Sequence, residues 1–121
     1  MDIIVLLQQA VLNHASDIFV VAGLPVSYRA NGRICREKEE KLMPPQTKKC
    51  VEELYKLAGG RDIRVLEEKG DDDFSFAVPG LSRFRVSAYK QRGALSAVIR
   101  VITFELPERT RSGFRTGDEL L

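Results

Sequence analysis

The sequence predicts an α+β fold, a mostly antiparallel sheet packed by helices, on three observations. Two stretches carry two-residue hairpin signals, Asn31-Gly32 and Arg92-Gly93, each flanked by strand-forming residues. Three others show helical spacing or helical start and stop signals. The 121 residues, 44% of them apolar, suffice for one hydrophobic core and are too few for two.

From Asp2 to Asn13, Ile4, Leu7 and Val11 recur at helical spacing, which predicts an amphipathic helix with those three residues toward the core. The period then changes. Ile18, Phe19, Val20 and Val21 form a β-branched and aromatic run ended by Gly23, as in a strand buried on both faces. Leu24-Pro25 reads as the turn into the next strand. In "PVSYRANGRIC", a type I′ turn at Asn31-Gly32 places Tyr28 opposite Cys35 and Ala30 opposite Arg33. "REKEEKLM" reads as a charged, solvated connector.

"PPQTKKCVEELYKLAGG" predicts a helix with Pro44 and Pro45 in its first turn and Gly59-Gly60 at its C-terminal cap. Val51, Leu54, Leu57 and Ala58 form its apolar stripe. "RDIRVLEEKG" predicts a shorter helix, with Ile63 and Leu66 inward and Gly70 as its stop. Phe74, Phe76 and Val78 then alternate with Ser75 and Ala77 as a strand that ends at the Pro79-Gly80 turn.

"RFRVSAYKQRGALSAVIR", Arg83 to Arg100, is the most informative stretch. With Arg92-Gly93 as a two-residue loop, Gln91 faces Ala94. One face then pairs Phe84 with Val101, Val86 with Ile99, Ala88 with Ala97 and the stem of Lys90 with Leu95. A slip of one residue would turn every side chain to the wrong face, so this apolar match fixes the register. The other face pairs Arg83 with Ile102, Arg85 with Arg100, Ser87 with Val98 and Tyr89 with Ser96. Arg85 opposite Arg100 is unfavourable by about 0.2–1 kcal/mol unless something offsets it. Carboxylates from "GDDDF" (Asp71, Asp72 and Asp73) are one candidate, since exposed ion pairs are common and contribute little. An external polyanion is the other, because two guanidiniums held on a sheet form a fork suited to phosphate oxygens.

Composition narrows the partners. The 19 basic and 17 acidic residues nearly cancel, and a net charge of +2 does not suit a coat for nucleic acid or anionic membrane, so an anion site must be local. Cys35 and Cys50 have neither metal-like spacing nor a disulfide framework, as expected of ordinary thiols in a reducing cytosol. No apolar run is long enough to cross a bilayer and no basic stretch opens a signal peptide, so a soluble cytoplasmic chain is expected. His14, the only histidine, ends the first helix without catalytic or metal-binding companions and reads as a surface or C-capping residue. Three consecutive aspartates on a strand alternate faces and do not converge on a cation, so Asp71–Asp73 read as an acidic edge facing Arg83 or Arg85. Tyr28, Phe84 and Phe104 suit core packing.

"ASDIFVVAGLPVSYRANGRI" and "DFSFAVPGLSRFRVSAYKQRGALSAVIRVITFELP" together resemble the opening and the closing hairpins of the N-terminal domain of the twitching-motility (PilT-type) ATPases of type IV pili, over about residues 1 to 107. The resemblance implies a PAS-like α/β domain standing before a RecA-like ATPase core of the secretion ATPase superfamily. It implies a homo-hexameric motor at the cytoplasmic face of the inner membrane, working with pilus inner-membrane machinery and using ATP and Mg²⁺ to drive pilus retraction. In that superfamily two arginines on these strands reach toward the nucleotide's terminal phosphates. They match Arg85 in "FRVS" and Arg100 in "VIRVI", with Arg83 and Arg92 as secondary candidates.

The hydrolytic chemistry itself is not expected here. "SGFRTGD" has Gly113 and Gly117 but no Lys-Ser/Thr after them, so no phosphate-cradling loop or catalytic residue is assigned, and the chain alone should bind no cofactor or metal and hydrolyse no ATP. After Pro107 the chain departs from the family's leucine- and acid-rich linker, and 108–121 reads as a polar, mobile tail. Two other functions compete with the nucleotide-sensing, subunit-interface domain of a motor. One is a free-standing PAS-like domain holding a small molecule in a cavity. The other makes "RFRVSAYKQR" an RNA platform, against which stand the low net charge and 7% aromatic content.

Overall fold

The computed structural model describes residues 2–102, where the chain runs α1 (Ile3–Leu12), β1 (Ala15–Val20), β2 (Pro25–Ala30), β3 (Arg33–Lys41), α2 (Pro44–Leu57), α3 (Arg64–Lys69), β4 (Asp71–Val78), β5 (Ser82–Gln91) and β6 (Ala94–Ile102). The expected tail over 108–121 and Phe104 lie outside these residues. The strands form one antiparallel sheet in the order β3-β2-β1-β6-β5-β4. The N-terminal half of the chain supplies one half of the sheet and the C-terminal half the other, joined where β1 pairs with β6. Both predicted hairpins form with the predicted pairs. Asn31 and Gly32, and Arg92 and Gly93, have the positive φ angles that a type I′ turn requires.

Helices cover one face of the sheet. Alternate strand residues, Ile18 and Val20, Phe74 and Phe76, Phe84, Val86 and Ala88, and Leu95, Ala97 and Ile99, meet Leu6 and Leu7 of α1, Val51 and Leu54 of α2 and Leu66 of α3 in one core. Tyr28 packs against it and Phe84 is fully buried, as expected. The opposite face of the sheet stays open among the described residues.

Several expectations are corrected. "REKEEKLM" is no loop, because Arg33–Lys41 runs as edge strand β3. Its charges are what an edge carries to resist pairing with other chains. The β1 run is buried on one face only: Ile18 and Val20 enter the core, whereas Phe19 lies on the open side beneath the Arg29 guanidinium, 5.8 Å from the ring centre. The α1 stripe is rotated by about a residue, with Ile3, Leu6, Leu7 and Ala10 inward and Ile4 and Val11 at its flanks. In α2, Thr47, Cys50 and Tyr55 join Val51 and Leu54 inside, while Leu57 and Ala58 sit at the margin. His14 closes α1 through its backbone, which is left-handed (φ 56°) and donates to the Val11 carbonyl. Among the described residues no helix is long and apolar enough to cross a membrane.

One polar cluster ties the helical layer to the sheet. Asp72 faces the helices, with its side chain 7% exposed. It takes two 2.8 Å bonds from Arg61 and a 2.8 Å bond from the Tyr55 hydroxyl. Arg61 also lies over Phe74, whose ring tilts against Tyr55. The Arg61 guanidinium, aided by the Tyr55 hydroxyl, holds the Asp72 carboxyl below its ordinary range. Burial, and then the bond to Asp72, push the Tyr55 phenol up.

Two stability outcomes follow. Ile99→Ala, at a fully buried site, should cost about 2–5 kcal/mol in urea denaturation. Asp72→Asn should cost about 1–3 kcal/mol at neutral pH. Because folding lowers the Asp72 pKa, its contribution is complete above the unfolded value near ~4 and is lost as pH falls through the folded value. The difference between parent and variant should therefore be flat from neutral pH down to about 5 and shrink below about 4.

Candidate functional site

The open face of the sheet is a grid whose positions follow from the register. One row across it reads Arg29, Asp17, Arg100, Arg85 and Ser75, from β2 through β1, β6 and β5 to β4. The next reads Ser27, Phe19, Val98, Ser87 and Asp73. Arg83 stands two residues along β5 from Arg85, on the same face, opposite Ile102. Arg85, Arg100, Ser87 and Val98 line a shallow depression with Asp17 and Asp73. Arg83 and Arg85 line a second beside Asp73, Phe74, Ser75 and Ile102. Arg85, Arg100 and Arg83 are therefore brought together. Arg92 is not: it sits at the hairpin tip and lines a separate cleft with Gly23, Met43 and Gln91.

The expected like-charge pair is present, with Arg85 directly across from Arg100. The carboxylate that meets it is not the one the sequence suggested. Arg100 Nε lies 3.5 Å from Asp17 Oδ1. Asp17 is in β1, 83 residues away along the chain. Of the three consecutive aspartates, Asp72 is turned to the helices, and Asp73 shares the depression with Arg85. Among the described residues the Arg85 side chain makes no hydrogen bond or ion pair.

A local irregularity of β1 sets the Asp17 position. Ala15 pairs with Ala30 and Asp17 with Arg29, so Ser16 is an extra residue, a β-bulge. The bulge lets Ala15 be buried while Asp17 emerges on the open face. It also brings the Ser16 hydroxyl onto the carboxylate, donating to Asp17 Oδ2 at 2.9 Å. Nothing in "ASDIF" announces a bulge, and this is why sequence reasoning missed Asp17 and Ser16.

Chemically, the site is an exposed guanidinium fork with carboxylates at its two sides. Such a fork can bind an anion by charge-assisted hydrogen bonds.

Fold and site together define a small α+β module of one sheet, armoured with helices on one side and presenting paired arginines on the other. No protein-family model matches the chain. Among curated proteins it is 39% identical over 103 residues to the type IV pilus retraction ATPase PilT of Pseudomonas aeruginosa, a match covering 84% of this chain and 29% of that protein. It is 34% identical over 102 residues to the type IV pilus ATPase PilU of the same organism, covering 84% of this chain and 26% of PilU. A crystal structure of the pilus retraction motor PilT with bound ADP superposes with a TM-score of 0.75 at 35% identity, over 91% of this chain and 32% of that one. The Legionella pneumophila ATPase DotB shares the fold, with a TM-score of 0.68 at 21% identity over 91% of this chain and 31% of DotB. The chain is homologous to PilT and PilU over the N-terminal portion of those pilus ATPases, and spans under a third of the length of either.

A fork kept for binding rather than for folding should be dispensable to stability. Arg85→Gln should leave the urea midpoint unchanged or raise stability by up to about 1 kcal/mol, through relief of the cross-strand repulsion. A loss above about 1 kcal/mol would mark Arg85 as structural.

Proposed function

We propose that this chain is the N-terminal nucleotide-sensing and subunit-interface domain of a hexameric type IV pilus retraction motor. The observation that carries this reading is the juxtaposition of Arg85 and Arg100 on the sheet face that no helix covers. Homology to PilT and PilU supports the pilus assignment. In this reading the open face packs toward a RecA-like core that binds ATP with Mg²⁺, and the arginines reach the terminal phosphates across the cleft between domains. Arg83 assists from the same strand. Arg92, at the hairpin tip, stands apart from these three and has no part in the reading. The domain catalyses nothing by itself and acts at the cytoplasmic face of the membrane beside the pilus machinery.

The mechanical consequence follows from electrostatics. Arginines on one body that bind phosphate held by another make the closed arrangement depend on the nucleotide, because hydrolysis and release remove charge-assisted bonds. The antiparallel sheet with helices on one face is compatible with the PAS-like description. The small-molecule sensor reading needs an internal cavity, and the space it would use is where Ile18, Leu54, Leu66, Phe84, Val86 and Ile99 pack. For an RNA platform, Asp17 and Asp73 interrupt the basic surface.

The test is a graft. Residues 2–102 are placed in PilT in place of its own N-terminal portion, and ATPase turnover is measured with and without Arg85→Gln and Arg100→Gln. Each substitution should lower turnover about tenfold or more, a modest share of what a phosphate-binding arginine can contribute. Turnover equal to the unsubstituted graft would remove the assignment.

A further inference from the structure

Resting on the phosphate-binding reading of Arg85 and Arg100, we propose that Asp17 is a resident counter-ion: it holds Arg100 while the site is empty, and phosphate binds only by displacing it. Three observations support this. The Asp17 carboxylate is anchored, 13% exposed, with Oδ2 bonded to the Ser16 hydroxyl at the bulge, whereas the Arg100 side chain is 71% exposed. The fixed partner is the acid and the movable one the arginine. The other arginine beside Asp17 in the row, Arg29, is drawn over Phe19 and forms no ion pair with it among the described residues. Asp17 is thus left to Arg100. Finally, the contact is a single one, from Nε at 3.5 Å, near the limit of a hydrogen bond.

Such a contact has two opposite effects on an incoming anion. It pre-orients the guanidinium, which favours binding, and it keeps a negative charge at the site, which opposes it. Magnitudes decide between them. A loose, exposed contact orients weakly. A carboxylate about 6 Å from a phosphate weakens binding about threefold for each phosphate charge, even at the dielectric of water. Repulsion wins, so Asp17 lowers affinity and takes Arg100 back when phosphate leaves. The pair works as a release device: Arg100 exchanges between an internal carboxylate and an external phosphate, and Arg85, which has no internal partner among the described residues, stays available to the anion throughout.

The test uses the full chain at low ionic strength with tripolyphosphate in large excess, a free polyanion that stands in for the phosphates a core would otherwise hold, followed through the arginine Nε–Hε signals in ¹⁵N-edited NMR. Asp17→Asn should bind tripolyphosphate about three- to tenfold more tightly than the parent. Asp17→Glu, which restores the charge, should return affinity to the parental level. In the parent the Arg100 signal should move on binding from its Asp17-paired position, and in the anion-free Asp17→Asn chain it should already be displaced. A residue with a merely structural role would weaken both variants. If the parent binds and Asp17→Asn binds equally or more weakly, the counter-ion proposal is overturned and the phosphate reading stands. If neither binds, or if Arg85→Gln and Arg100→Gln bind as the parent does, the phosphate reading falls and the proposal with it.

Discussion

The register of the β5–β6 hairpin is the constraint on which the rest of the structure depends. From Gln91 against Ala94 to Arg83 against Ile102, every pair is kept without a bulge. On the core side this brings Val86 to Ile99 and Ala88 to Ala97, all fully buried. The small Ala88 and Ala97 leave room for the covering helices, and α2 packs on β6. A shift of one residue would bury Arg85 and Arg100 and expose Val86 and Ile99, a cost no local contact could offset. The open face therefore inherits its arginine pair as the obligatory reverse of a well-packed core. A like-charge juxtaposition worth at most about 1 kcal/mol of repulsion is held in place by several times that in burial.

Around this hairpin the remaining elements act as fixings. Asp72, Arg61 and Tyr55 tie β4 to α2 and to the segment entering α3, with both oxygens of the buried carboxylate engaged by donors. The same strand presents Asp73 to the arginine face, so by strand alternation one acidic run supplies both the buried cluster and a wall of the arginine depression. At the outer edge, β3 carries Arg36, Glu37, Glu39 and Glu40 exposed, which keeps the sheet from extending onto another molecule. That edge is thereby closed to strand pairing, and the broad open face of the sheet stays available for contact.

That broad face mixes charge with apolar surface. Ile34 and Ile102 are exposed on it, and Phe19 and Val98 are half-buried in the row beside the arginines. The mixture suits the interface proposed above: the apolar residues offer area for docking, and the guanidiniums beside them can take an anion. In DotB, at 21% identity, the fold is retained, which shows that the sheet and its helices tolerate wide substitution.

The sequence by itself determined both hairpins, their registers, the two later helices with their caps, and the opposition of Arg85 and Arg100. Each of these is local: a two-residue turn with positive φ and an alternating pattern fix the pairing of neighbours in the chain. It misjudged β3, because a run of charges gives no apolar alternation from which to read a strand. It also misplaced the core faces of β1 and α1, whose orientation is set by what they pack on. Only the tertiary structure decided that β1 lies beside β6, and that a bulge at Ser16 turns Asp17 toward Arg100. Residues 83 positions apart meet there because two separately specified halves of a sheet join through β1 and β6, and no periodicity within either half records that junction.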